Sequence, residues 1–188
     1  MNRRDALERV ALILGGSIIG GSAFLQGCTS ADSKATTMLL SAKQVAFLDE
    51  VAETIIPTTN TPGAKAAAVG AFMNTMVTDC YTTEDQQLFI EGIDKVDAAS
   101  QKQFNKGFME LGATERSTLL EQVNQELKTY NQNKTDKDPA HYFSMMKQLT
   151  LLGYFSSEIG ATQALRYVAI PGKYEGCVPY KKGDRAWA

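Results

Sequence analysis

Apolar residues recur every three or four positions through most of the chain beyond residue 41. This spacing is typical of helices that bury one face, and it occurs in five successive segments. The segments are separated by polar stretches or by stretches that contain proline and glycine, and the alternation typical of strands is scarce. We therefore predict an all-α fold, with a single domain of about five helices.

Each predicted helix has one apolar stripe. In chain order, the stripes contain Val45, Leu48, Val51, Ala52, Ile55 and Ile56; Val69, Phe72, Met73, Met76, Val77 and Cys80; Phe89, Ile93 and Val96; Leu119, Leu120, Val123 and Leu127; and Tyr142, Met145, Met146, Leu149 and Leu152. The phenylalanine and methionine residues of the second stripe could line a cofactor pocket, but we favour core packing, which these residue types commonly fill. Because Cys80 lies on this stripe, its thiol is predicted to face the core.

Capping residues give the expected helix bounds. Ser41–Gln44 has the pattern of a capping box, and so has Thr83–Gln86 at the start of the third helix. The second helix is expected to begin near Ala64. Residues 128–137 are polar and are interpreted as a loop, after which Asp138 is the expected N-cap of the fifth helix, with proline in the next position.

The last part of the chain does not follow a helical pattern. From Val168 onward, prolines and glycines prevent regular structure, so we predict an irregular C-terminal arm. Aromatic residues persist in this arm, and they must lie against the helical body or against a partner. We predict that Tyr174 and Tyr180 form part of a partner-facing surface.

The N-terminus has the layout of a bacterial export signal. Arg3 and Arg4 precede an apolar run from Val10 to Leu25, and Leu25-Gln26-Gly27-Cys28 resembles a lipobox. The arginine pair favours the twin-arginine route, which carries folded proteins, and Cys28 is the predicted lipidation site. The alternatives are a retained membrane anchor and a buried N-terminal helix. However, the run has about 16 residues with four glycines, whereas a span needs roughly 20 apolar residues and glycine is unfavourable inside a helix.

These patterns divide the chain into three parts. Residues 1–27 are the predicted twin-arginine lipoprotein signal, residues 28–40 a flexible tether and residues 41–188 the helical domain. We expect the protein to lie on the periplasmic side of a bacterial membrane, anchored through lipid. In that oxidising space Cys80 and Cys177 are predicted to form a disulfide; the alternative is two separate buried thiols.

The sequence contains little catalytic chemistry. His141 is the one histidine, and a lone histidine is more often a capping or surface residue than a general base. We identify no catalytic, cofactor-binding or metal-binding residues, because zinc-ligand spacing and a dinucleotide-binding glycine motif are both absent. Glu158 and Arg166 could form a buried ion pair or remain solvated. With a net charge of −2 and no basic tract longer than two lysines, nucleic acid is not an expected partner.

Several blocks together resemble the gluconate 2-dehydrogenase subunit 3 family. The blocks are Phe47–Pro57, Thr61–Ala64, Asp79-Cys80, Tyr154–Gly160 and Pro171–Cys177. The resemblance implies a small subunit of a membrane-associated, FAD-dependent dehydrogenase for sugars, sugar acids or alcohols. It also implies that FAD and the chemistry belong to a large partner subunit, with a cytochrome c subunit as a second candidate partner.

We therefore predict an accessory subunit that is not catalytic alone. Its predicted roles are export carrier, stabiliser and membrane tether of a flavoprotein. The alternative is a stand-alone lipoprotein binding module without an enzymatic partner. An independent hydrolase or oxidoreductase ranks last, because the acid–base and cofactor residues are missing.

Overall fold

The computed structural model describes residues 38–135, 138–170 and 172–188. The predicted signal, including Arg3 and Arg4, and most of the predicted tether, including Cys28, lie outside these residues. The described part contains five α-helices, with a 3-10 turn between the third and fourth and a π-helical turn after the fifth. The α-helices are α1 (Ala42–Ile55), α2 (Val69–Cys80), α3 (Thr83–Phe104), α4 (Ala113–Asn133) and α5 (Tyr142–Ser156); the turns are Phe108–Glu110 and Gly160–Ala164.

The all-α prediction is confirmed, because the described residues contain no β-strand beyond one isolated bridge between Arg166 and Trp187. Within these residues, no helix is both long enough and apolar enough to cross a membrane. The arm after residue 165 lacks α-helix, as its prolines and glycines predict.

Helix α5 lies at the centre of the domain and contacts all four other helices. Its buried residues include Phe143, Met146 and Tyr154, which are at most 1% exposed. Most of the predicted stripes face this core, and those of α3 and α4 are buried throughout. Two predictions are wrong at helix ends: Leu152 is 52% exposed near the end of α5, and Cys80 is exposed at the last residue of α2.

The predicted helix starts are accurate where the capping side chain makes a local bond. The Ser41 capping box forms as predicted, with Gln44 closing it. The cap of α3 is Thr82 rather than Thr83, one residue earlier. Helix α2 begins at Val69 rather than near Ala64, since the chain makes turns before it and Ala68 adopts a left-handed conformation with φ of 52°.

The loop predicted over residues 128–137 is shorter than expected, because α4 continues to Asn133. Asp138 does not cap α5: its carboxylate accepts from the backbone N–H of Thr135 at 2.7 Å and closes the loop instead. The N-cap is His141, whose Nδ1 accepts from the backbone N–H of Phe143 at 3.2 Å. Proline therefore precedes the helix by three residues rather than opening it.

The end of the predicted tether already belongs to the domain. Leu40 is 4% exposed, and its backbone N–H donates to Oδ1 of Asn74 at 3.0 Å. The preceding Leu39 donates to the Thr78 hydroxyl at 3.1 Å. The chain is thus fixed to α2 from Leu39 onward, so the predicted flexible tether does not extend to residue 40.

Candidate partner-binding surface

Acidic residues of α1, which lie outside its apolar stripe, hold the next segment of the chain. Asp49 accepts from the backbone N–H of Gly70 at 2.7 Å, at the start of α2. Both carboxylate oxygens of Glu53 are also occupied. They accept from the backbone N–H and hydroxyl of Thr58, at 2.8 and 2.7 Å, and from the backbone N–H of Lys65 at 2.9 Å. These carboxylates therefore act as structural acceptors that fix the loop and the start of α2.

The proline-containing loop after α1 is also fixed from the opposite side. The Tyr154 hydroxyl of α5 donates to the Pro62 carbonyl oxygen at 2.6 Å. Gly63 lies so close to the Glu53 carboxylate that an added Cβ would overlap it. Residues from three of the resemblance blocks thus meet in one structural cluster, which orders the loop.

Glu50 forms the centre of an ion cluster. It bonds to Lys65 and to Arg116 of α4, and the Glu50 and Arg116 side chains are only 16% and 15% exposed. Arg116 also donates to the carbonyl oxygens of Phe108 and Met109, at 3.2 and 3.0 Å. The hydrogen bond from Lys65, aided by the positive charge of Arg116, lowers the pKa of Glu50 despite the opposing effect of burial.

The first prediction concerns this cluster. Because the folded-state pKa of Glu50 lies below its ordinary value, its ionised form stabilises the fold at neutral pH, and this contribution disappears as pH falls through the lowered pKa. Glu50→Gln should lower the free energy of unfolding at neutral pH by about 1–2 kcal/mol. The difference from wild type should shrink below about pH 4. Urea unfolding at both pH values measures it; an equal difference at both would contradict the ionic origin.

His141 has a structural position. Burial lowers the pKa of its imidazole, and its Nδ1 is occupied by the cap bond to Phe143. The ring stacks on Tyr142, with ring centroids 4.4 Å apart. Among the described residues no group of histidine, cysteine, aspartate and glutamate side chains is arranged to hold a metal ion. The predicted lack of catalytic and cofactor-binding residues is not tested by these observations.

Exposed apolar side chains concentrate in one part of the chain. Of the thirteen large apolar residues that are exposed in the described part, ten lie between residues 151 and 187. These ten, which we call the apolar surface, are Leu151, Leu152, Phe155, Tyr167, Val168, Ile170, Tyr174, Val178, Tyr180 and Trp187. Large exposed apolar side chains in such number are typical of a surface that another molecule covers.

The apolar surface begins on α5. Leu151, Leu152 and Phe155 are 46%, 52% and 41% exposed. Spacings of three and four residues place Phe155 beside both leucines on the helix surface. The inward face of α5 is already packed against the other helices, so these three side chains lie at the surface. The periodicity of the sequence does not predict their exposure, because α5 is apolar on both faces.

The arm is a loop with both ends held together rather than a free tail. The Arg166 N–H donates to the carbonyl oxygen of Ala186 at 2.8 Å, and the Arg166 guanidinium lies 4.2 Å from the centre of the Trp187 ring. Arg185 donates to the carbonyl oxygens of Thr162 and Gln163, at 3.0 and 2.9 Å. A cation at these carbonyls complements the negative end of the π-helical turn. No ion pair forms between Glu158 and Arg166.

Between its ends the arm is highly exposed. Tyr174 is 95% and Tyr180 77% exposed, so both predicted contact residues lie at the surface, and whether a partner contacts them stays a prediction. An open cleft of about 650 Å³ is lined mainly by apolar arm residues, including Ile170, Tyr174 and Trp187. A cleft of this size is large enough to receive side chains of a partner.

The two cysteines of the predicted disulfide are exposed and not bonded to each other in the structure. Cys80 ends α2 and Cys177 lies in the arm. The exposure of Cys80 removes the alternative of a buried thiol at that position, and Cys177 is equally accessible. The disulfide remains a prediction.

The chain matches a family model described as gluconate 2-dehydrogenase subunit 3 over residues 42–172. The match covers all five helices and the π-helical turn but ends before Tyr174 and Cys177. No curated protein and no solved structure matches the chain.

Proposed function

Because the chain belongs to the gluconate 2-dehydrogenase subunit 3 family, we propose that it is a non-catalytic small subunit of a dehydrogenase complex. The family name describes one subunit of a dehydrogenase, so the chain is expected to have a dehydrogenase subunit as its partner. In this proposal the large subunit is a flavoprotein that binds FAD and oxidises a sugar, sugar acid or alcohol. A cytochrome c subunit that accepts the electrons is a second proposed partner.

The observation that carries the proposal is the apolar surface on α5 and the arm. A side chain such as Tyr174, at 95% exposure, contributes almost no burial to the isolated fold. Burial of apolar area is the main favourable term in association, so the free energy that these residues can supply becomes available only in a complex. The carboxylates of α1 and the imidazole of His141 are engaged in structural bonds, which fits an accessory role.

The second prediction tests the apolar surface. Tyr174→Ala with Tyr180→Ala should change the free energy of unfolding by less than about 0.5 kcal/mol, since both rings are exposed. The same variant should retain about one tenth, or less, of the flavoprotein that the wild type retains, because interface tyrosines are frequent hot spots. Flavin absorbance per chain after affinity purification from membranes measures the retention.

Met109→Ala is the matched control, because Met109 is 45% exposed but lies outside the apolar surface. It should retain flavoprotein as the wild type does. Equal retention by the control and by the tyrosine variant would contradict the assignment of the arm as the partner-facing surface.

We further propose that the N-terminal signal exports the complex and that Cys28 anchors it in the membrane. Export of folded protein suits a flavoprotein, because FAD can be inserted in the cytoplasm before the complex crosses. The tether between Cys28 and Leu39 would span at most about 40 Å if fully extended. The domain would then stay close to the periplasmic surface of the membrane. Firm anchoring needs more than one acyl chain or a second membrane signal.

The third prediction concerns the proposed disulfide between Cys80 and Cys177. A bridge would close a loop of about 100 residues and stabilise the fold by roughly 4–5 kcal/mol in the chain-entropy model, less any strain. It would also fix the middle of the arm to the end of α2. Mass spectrometry of the exported protein, digested without reductant, should show one peptide pair linked through both cysteines. Free alkylation of both thiols in denaturant before reduction would contradict the bridge.

A further inference from the structure

The charges of the domain are divided between the arm and the helical body. Residues 166–188 contain five lysines and arginines and two acidic residues, a net charge of +3. Residues 38–165 contain ten lysines and arginines and sixteen acidic residues, a net charge of −6. The basic part of the domain is therefore also the part with the most exposed aromatic side chains.

The basic charge of the arm is presented at a defined turn. The Lys181 N–H donates to the Asp184 carboxylate and the Asp184 N–H to the Lys181 carbonyl oxygen, both at 3.0 Å. Gly183 allows this turn because its φ of +96° is a conformation that other residues rarely adopt. Lys181 and Lys182 are exposed next to Tyr180, and neither has a salt bridge to a residue that the structure describes. Lys173, by contrast, is paired with Glu175 at 2.6 Å.

We infer that the arm docks on an acidic, partly apolar surface of the partner dehydrogenase, with Lys181 and Lys182 meeting its carboxylates and Tyr180 its apolar part. This inference rests on the proposed function and adds the chemistry of the partner. Complementary charge directs the encounter and fixes its orientation. The same acidic surface is repelled by the helical body, so the arm is the side of the domain that it approaches.

A lipid surface fits the arm less well. Its charge of +3 is spread over 23 residues, whereas polybasic membrane-binding segments have roughly four to eight adjacent basic residues. The backbone of the arm is irregular, and its unpaired N–H and carbonyl groups could not be satisfied in hydrocarbon. Tyrosine, tryptophan and arginine are also the residues that dominate protein–protein interfaces.

The test uses the complex purified from membranes through a tag on the chain. The variant is Lys181→Glu with Lys182→Glu, and the control is Lys43→Glu with Lys128→Glu. The control lysines are exposed on the helical body, and the control changes the net charge by the same amount. Flavin retained per chain is measured while the NaCl concentration is raised, because salt screens exposed charges.

The inference predicts that wild type and control retain flavin equally and lose it as salt rises. The arm variant should retain roughly tenfold less at low salt, and Lys181→Arg with Lys182→Arg should restore retention. If wild type retains flavin but the arm variant matches the control at every salt concentration, the inference is wrong and the proposed function stands. A wild-type chain that retains no flavoprotein overturns both.

Vesicles of phosphatidylglycerol and phosphatidylethanolamine distinguish the lipid surface. The preparation purified from membranes is sedimented with them, again as wild type, arm variant and control, and the sedimented fraction of the tagged chain is measured. The inference predicts equal sedimentation of all three. If only the arm variant loses vesicle binding while it retains as much flavin as the control, the arm docks on anionic lipid and the inference is overturned.

Discussion

Gly160→Ala is expected to lower the free energy of unfolding by about 2–3 kcal/mol and to displace the base of the arm. A Cβ at this position would overlap the carbonyl oxygen of Tyr154 and lie 2.7 Å from its carbonyl carbon. The conflicting atoms belong to backbone, so a side-chain rotation cannot relieve the overlap. The same junction is held by the Ser157 hydroxyl, which accepts from the Gly160 N–H at 3.0 Å and donates to the Tyr154 carbonyl oxygen at 2.6 Å.

The effect should reach the partner-binding surface, because Arg185 is bonded to carbonyl groups of the π-helical turn that begins at Gly160. Thermal unfolding and flavin retention measure the two consequences. Gly112→Ala is the matched control. Apart from the two residues next to Gly112 in sequence, the nearest atom lies 3.7 Å from an added Cβ, and the φ of Gly112 is −72°. Because Gly112 is also the N-cap of α4, where alanine is less favourable than glycine, this change should cost up to about 1 kcal/mol, less than the change at Gly160. If Gly160→Ala and Gly112→Ala lower the thermal stability equally, the junction at Gly160 is not the rigid base of the arm.

Arg3→Lys with Arg4→Lys is expected to leave this chain, and its passenger flavoprotein, in the cytoplasm. The proposal requires this, because a flavoprotein without its own signal crosses the membrane only on a carrier that the twin-arginine route accepts. The cytoplasmic and periplasmic fractions are separated, and the flavin-dependent activity of each fraction shows where the flavoprotein is located. Lys34→Arg is the control, since it alters a basic residue beyond the predicted signal. Normal export of the double variant would contradict the twin-arginine assignment.

The helices could be predicted where the decisive contacts are local. The Ser41 capping box and the stripes of α3 and α4 involve residues within one or two turns of each other, so periodicity and capping patterns are sufficient. The start of α5 could not be predicted in this way. Asp138 can close a turn or cap a helix, and the structure uses it for the turn with Thr135.

Long-range contacts explain the other differences. The ion cluster of Glu50 has no local signature in the sequence, because its arginine partner lies 66 residues further along the chain. The closed arm also has no sequence signature, since its ends are held by backbone bonds and by Arg166 on Trp187. The aromatic content of the arm could be read from the sequence, whereas the exposure of Leu151 and Leu152 depends on which face of α5 the other helices cover.

The central claim is that this chain is one subunit of a flavoprotein complex. The most direct test is the mass in solution, by light scattering, of the particle purified from membranes through a tag on the chain, with its flavin absorbance measured on the same sample. We expect a yellow particle whose mass exceeds that of this chain by the mass of a flavoprotein. A colourless particle with the mass of the chain alone would contradict it and favour a stand-alone lipoprotein.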